Sequence, residues 1–170
     1  MFQIKPMDKQ EAEEYLRWSY AEPYDFYNTP VASFSECVTA ILDPTSGEDF
    51  YAVYREGSYF GIFSYKINGR SLELGLGMRP EECGKHQGAL FTALGVAFAR
   101  SQLRHGGKIW LRVADFNQRA IRTYETAGFT EVEQQLALSW DRLVNFIHME
   151  LTDEEKLQRQ LPAEQDNKPL

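Results

Sequence analysis

Apolar positions along this 170-residue chain alternate in some stretches and recur at helical spacing in others, and each change of period marks an element. Phe2 to Ile4 reads as a short strand ended by Pro6. Asp8 is a helix cap, and Ala12, Tyr15, Leu16 and Trp18 continue at helical spacing to Trp18. An aromatic, proline-containing segment runs from Tyr20 to Phe34, and a short helix covers Ser35 to Leu42 before Asp43-Pro44. Strands are predicted over Phe50 to Tyr54 and Tyr59 to Ile67, around the hairpin signal Glu56-Gly57-Ser58. Asn68-Gly69 is a second and stronger turn, leading into Leu72 to Met78.

Pro80 to Gln87 reads as a loop, Gly88 to Leu103 as a helix with a broad apolar face, and Ile109 to Ala114 as a strand. Gln118 to Ala127 is a helix stopped by Gly128, and Phe129 to Leu138 and Leu143 to Leu151 are the last two strands. Hairpin-joined strands followed by a strand–helix–strand crossover predict a mixed, mostly antiparallel sheet with helices on both faces. Residues 1–151 form the expected domain. Thr152 to Leu170 is polar, aperiodic and carries two prolines, so it is expected to be a mobile tail.

Composition narrows the function classes. A chain of this length buries roughly 70% of its unfolded surface, so it needs neither disulfide nor metal to fold. Net charge is −7, which disfavours nucleic acid and anionic membranes and favours a cationic partner. Cys37 and Cys83 are too few for a disulfide framework, His86, His105 and His148 have no ligand spacing, and no metal is expected. No run is long and apolar enough to span a membrane, and the N-terminus has no signal-peptide pattern, so a cytoplasmic setting is expected. A homodimer is left open.

Two motifs carry candidate chemistry. In Leu72-Glu73-Leu74-Gly75-Leu76-Gly77-Met78 the leucines and Met78 share one face, while Glu73, Gly75 and Gly77 share the other. Bare backbone on that face suits a ligand, a bulge, or a helix crossing closely over the glycines. The loop that follows opens onto a helix, where free N–H groups meet the positive end of the helix dipole, a site for an anion. It is neither a Walker loop nor GxGxxG. In Asn117-Gln118-Arg119-Ala120-Ile121-Arg122-Thr123-Tyr124-Glu125-Thr126-Ala127-Gly128-Phe129, Asn117 or Asp115 caps a helix whose apolar stripe contains Tyr124. From helix logic alone, Tyr124 is either a core tyrosine or a functional one.

Together these segments, from about Leu72 to Phe129, resemble the acyl-coenzyme A binding core of the GNAT N-acetyltransferases. The resemblance implies a single-domain GNAT-like sheet of about seven strands and transfer of an acetyl group from acetyl-CoA to a primary amine. The acceptor would be a small molecule or a peptide or protein N-terminus. It also implies that the backbone of Gly84, Lys85, His86, Gln87, Gly88 and Ala89 holds the pyrophosphate. Met78 would bond the pantetheine arm and polarise the thioester, Asn117 would contact the pantetheine, and Tyr124 would be the general acid. The chain departs from the family pattern at Glu81, Cys83 and His86, the last bringing a Cβ close to a phosphate.

No Cys/His or Ser/His nucleophile pair is evident, so direct attack by the amine is expected. Glu73 is the candidate base, against the alternatives of a salt-bridged carboxylate and a water chain. Trp18, Tyr20, Tyr24, Phe26 and Tyr27 either wall the acceptor pocket or fill the core. A binding protein that keeps the acyl-CoA cleft without turnover is the competing reading.

Overall fold

The computed structural model describes residues 1–163. Strand β1 (Phe2–Pro6) leads to helix α1 (Lys9–Leu16), and two short 3-10 turns, Tyr24–Tyr27 and Val31–Ser33, lead to α2 (Phe34–Leu42). Strands β2 (Glu48–Arg55), β3 (Ser58–Asn68) and β4 (Ser71–Met78) follow, then α3 (Gly88–Ser101), β5 (Lys108–Ala114) and α4 (Gln118–Thr126). The chain continues through β6 (Phe129–Ser139), β7 (Arg142–Leu151) and α5 (Glu154–Gln158). The seven strands form one sheet in the order β1-β2-β3-β4-β5-β7-β6. Every pairing is antiparallel except β4 with β5.

Local chemistry explains the boundaries. Asp8 and Glu11 form a reciprocal capping box at α1, with backbone-to-carboxylate bonds of 2.9 Å in both directions. Both central residues of the β2–β3 turn, Glu56 (φ 51°) and Gly57 (φ 81°), are left-handed, as the twist of a tight hairpin requires. Alternation then sorts side chains to two faces. Val53, Phe63, Tyr65, Leu72 and Leu74 pack with α3 in the main core, whereas Ala52 and Ile62 meet α1 residues on the opposite face.

The tail differs from its expectation. Asp153 caps α5 through a 2.9 Å bond from the Lys156 N–H, and Leu157 is fully buried in the main core. Gly128 (φ 96°) accepts at its carbonyl from the Thr152 and Asp153 N–H groups, and a β-carbon there would stand 2.2 Å from the Asp153 carbonyl oxygen. One glycine therefore stops α4 and lets the next segment dock. The sequence shows this weakly, because a single leucine anchors an otherwise polar stretch. Residues 164–170, the rest of the expected tail, lie outside the described residues.

Candidate active site

The site begins where the sheet opens. β4 and β5 are paired only from Ser71 to Glu73 against Lys108 to Trp110. Beyond that point the facing strand edges line a cleft of about 710 Å³, which Gly75, Gly77, Met78 and Val113 help to wall. The Arg79 N–H donates to the Phe60 carbonyl at 2.9 Å, which fixes the alternation of the β3–β4 ladder. Leu76 and Met78 therefore occupy its non-bonded positions, and their N–H and C=O groups point away from β3, towards the opening. The Met78 carbonyl accepts the Tyr20 hydroxyl at 2.7 Å from that side.

The glycines of β4 have steric causes. A β-carbon at Gly75 would lie 2.2 Å from Ser64 Oγ, and one at Gly77 would lie 3.3 Å from Ile62 Cγ1 and 3.6 Å from the Tyr15 ring. Close neighbours on the α1 face thus account for both, and the β3–β4 register runs through them without a bulge.

The loop after β4 makes a 3-10 turn at Pro80–Glu82 and reaches α3 through Gly84 (φ 76°) and His86 (φ 57°). His86 is thus left-handed, a conformation uncommon for a residue with a side chain. No side chain caps α3, so its first N–H groups remain for a ligand at the positive helix end. Gly88 is fixed by close approach, since a β-carbon would meet Thr123 Cγ2 of α4 at 2.7 Å. Gly84, His86, Gln87 and Gly88 line the cleft; Lys85, ion-paired with Glu82 at 3.1 Å, and Ala89 do not. Glu81 is paired with Arg79 at 3.3 Å. Cys83 does line the cleft, but burial pushes its thiol up, which makes it a poor nucleophile.

α4 supplies the opposite wall. Asn117 caps it, accepting from the Ala120 N–H at 3.1 Å, while its amide nitrogen donates to the Tyr27 hydroxyl at 3.1 Å. Tyr124 lies about two turns further along the same face, packed near Phe129 and lining the cleft. Its hydroxyl has no hydrogen-bond partner among the described residues, and burial pushes its pKa well up, so it stays a neutral donor at ordinary pH. The Arg119 guanidinium lies 4.2 Å from the Tyr24 ring centroid.

The aromatic segment is a bridge between the two arms. Tyr20 is held to β4 through Met78, and Tyr27 to α4 through Asn117. Phe26 lines the cleft as well and belongs to a small core cluster with Ala114 and Val144. Trp18 is buried against Tyr15 and Tyr59. Glu73 reaches the cleft on the glycine face, and its carboxylate is 2.9 Å from Arg112 Nε of β5. Sequence reasoning missed Arg119 and Glu48 as wall residues. Arg119 sits within the α4 motif and offered a signal; Glu48, some 25 residues before Glu73 in sequence, offered none.

No protein-family model matches this sequence, and no curated protein matches it by sequence search. Solved structures do match its shape. A chimera of the spermidine N-acetyltransferase SpeG of Vibrio cholerae and hSSAT superposes with a TM-score of 0.72 at 20% identity, covering 93% of this chain and 99% of that one. Mutant forms of the spermidine/spermine N-acetyltransferase SpeG from Vibrio cholerae give 0.70 at 20% identity, covering 94% and 99%. At this identity the likeness is one of fold.

Proposed function

We propose, for a chain that carries the fold of the GNAT N-acetyltransferases, that it transfers an acetyl group from acetyl-CoA to a primary amine by direct attack. The observation that carries the reading is the meeting, in one cleft, of the unpaired β4 edge at Met78, the uncapped start of α3 and the Tyr124 hydroxyl. These features fit acetyl-CoA. A pyrophosphate suits the N–H groups at the start of α3, where Gly84, Gly88 and the left-handed His86 keep the backbone exposed. A pantetheine arm, itself amide-bearing, suits a strand edge whose Leu76 and Met78 N–H groups are turned away from β3, beside Asn117.

Acetyl-CoA supplies an activated acyl group, and the chain's residues do the rest. The Met78 N–H, aimed into the opening, is the donor we assign to the developing oxyanion, an effect often worth a few kcal/mol. Glu73, held by Arg112 and five residues before Met78 on the extended β4, is the carboxylate we assign to accept the proton of the attacking amine through a chain of water. Tyr124, kept neutral by burial, gives a proton to the departing thiolate. Tyr124 together with the free β4 edge favours turnover over binding alone. A reducing, cytoplasmic compartment would keep Cys37 and Cys83 as thiols.

Two measurements test the reading. Acetyl-CoA at 100 times its dissociation constant should stabilise the fold by about 2.7 kcal/mol. Free thiol should then appear on adding a primary amine. No melting shift at millimolar acetyl-CoA sinks the assignment.

A further inference from the structure

The Tyr20 hydroxyl stands at the Met78 end of the cleft. It donates to the Met78 carbonyl at 2.7 Å, and the Cys83 thiol lies 3.7 Å from the same oxygen. The N–H and C=O of one strand residue leave the backbone on the same side, so this phenol sits beside the Met78 N–H, the donor assigned to the oxyanion. A phenol has one proton to give and lone pairs to receive. Here the proton is spent on Met78, and among the described residues none donates to the Tyr20 oxygen, although Tyr20 lines the cleft. Towards a ligand, that oxygen is therefore an acceptor only. Tyr27 differs, since Asn117 Nδ2 already donates to its oxygen at 3.1 Å.

Tyr20 is also held firmly. Asn28 grips its backbone twice, accepting the Tyr20 N–H at Oδ1 (2.7 Å) and donating from Nδ2 to the Tyr20 carbonyl (3.2 Å). Burial pushes the phenol pKa well up, so the oxygen is neutral at ordinary pH. A neutral acceptor suits an attacking amine. A carboxylate in the same place would favour the ammonium form, which has no lone pair to attack with.

Resting on the acetyltransferase reading, we infer that Tyr20 receives the attacking nitrogen and that Asn28 positions Tyr20 to do so. One N–H of the neutral amine donates to the Tyr20 oxygen, its lone pair faces the thioester carbon, and its second N–H meets the water leading to Glu73. As the C–N bond forms, the nitrogen gains positive charge and its bond to Tyr20 strengthens. The C–S bond then breaks, the nitrogen's extra proton passes through water to Glu73, and Tyr124 protonates the sulfur. Tyr20 keeps its own proton throughout. Such help acts in the transition state more than on the bound amine, so it raises kcat more than it lowers KM. A secondary amine has one N–H for two acceptors, so the arrangement selects a primary one.

The test uses the full chain, acetyl-CoA and two small probes that are unprotonated at neutral pH: methoxyamine, with a primary nitrogen, and N,O-dimethylhydroxylamine, with a secondary one. Thiol release is read above the uncatalysed rate, and acetyl-CoA affinity by calorimetry. The primary probe should exceed the secondary by about tenfold or more in kcat/KM. Tyr20→Phe should lower kcat for methoxyamine by about tenfold or more with acetyl-CoA affinity nearly unchanged. The same variant should bring the preference for the primary probe down to that of the uncatalysed reaction. Asn28→Ala should act likewise in smaller measure, and Asn28→Asp, which keeps the acceptor for the Tyr20 N–H, should recover part of the loss. A merely structural Tyr20 would slow both probes alike, so an unchanged preference in Tyr20→Phe overturns the inference. Full kcat in that variant, or a loss confined to acetyl-CoA binding, also overturns it. Acetyl-CoA binding with no turnover of methoxyamine overturns it while leaving the cofactor assignment standing. Absence of acetyl-CoA binding removes the functional reading itself.

Discussion

Arg112 Nε lies 2.9 Å from Glu73 Oε1, joining β5 to β4 just past their last paired residues, where the sheet parts. Arg112 is more than half exposed and Glu73 about one-fifth, so the pair contributes little to stability, at most about 1 kcal/mol. The proposed reaction makes Glu73 its base. Glu73→Gln should keep the fold and acetyl-CoA affinity while lowering turnover at least tenfold at neutral pH. The loss should shrink at high pH, where free amine is plentiful. Steady-state rates across pH check this, and an unchanged rate would return Glu73 to a purely structural ion pair.

Tyr124→Phe removes one hydroxyl and keeps the ring against Phe129. Because that hydroxyl has no protein partner among the described residues, stability should change by less than about 1 kcal/mol. Turnover should fall roughly 10²-fold with acetyl-CoA binding near normal. Full activity in the variant would make Tyr124 a core residue only.

His86 occupies the left-handed region at φ 57°, which costs an L-residue about 1–2 kcal/mol. Glycine there relieves that strain but adds freedom to the unfolded chain, worth roughly 0.5–1 kcal/mol the other way. His86→Gly should therefore be neutral to slightly stabilising, and the missing Cβ should tighten acetyl-CoA binding severalfold. Calorimetric titration decides the second point; weaker binding would show that the imidazole itself contacts the ligand.

Leu157 is the apolar anchor of α5, 1% exposed. Leu157→Ala should cost about 2–5 kcal/mol, as large-to-small core changes do. Truncation before Thr152 should lower the melting temperature by many degrees. A truncated chain that melts like the full one would mean that α5 contributes no stability.

Alkaline pH should unfold the protein through its buried phenols. Burial raises Tyr15 from an ordinary 10.0 to about 12 and pushes Tyr65 and Tyr124 further. A raised folded-state value means the folded chain holds these protons more tightly. The stability they contribute is fully present below pH 10 and declines as pH climbs through about 12. Phenolate absorbance and circular dichroism should change together in that window. Free titration of all nine tyrosines near pH 10 without unfolding would contradict the burial.

Period and punctuation in the sequence were enough for the order of the elements from β1 to β7, because alternation in β2 to β4, the Asn68-Gly69 turn and Gly128 are local signals. The same local signals marked the two halves of the cleft, since Met78 ends a strand, Gly88 opens a helix, and Tyr124 lies on the stripe of an amphipathic one. Tertiary structure alone decided what meets across the cleft. That Tyr20 bonds the Met78 carbonyl, that Tyr27 bonds Asn117, and that Arg112 holds Glu73 depends on strands and loops packed from distant parts of the chain. The docking of α5 is of the same kind: Leu157 looks unremarkable in a polar run until Gly128 admits the Asp153 backbone beside it. Local propensity acts over a few residues, whereas a site is assembled by burial and sheet register, which no single window of sequence contains.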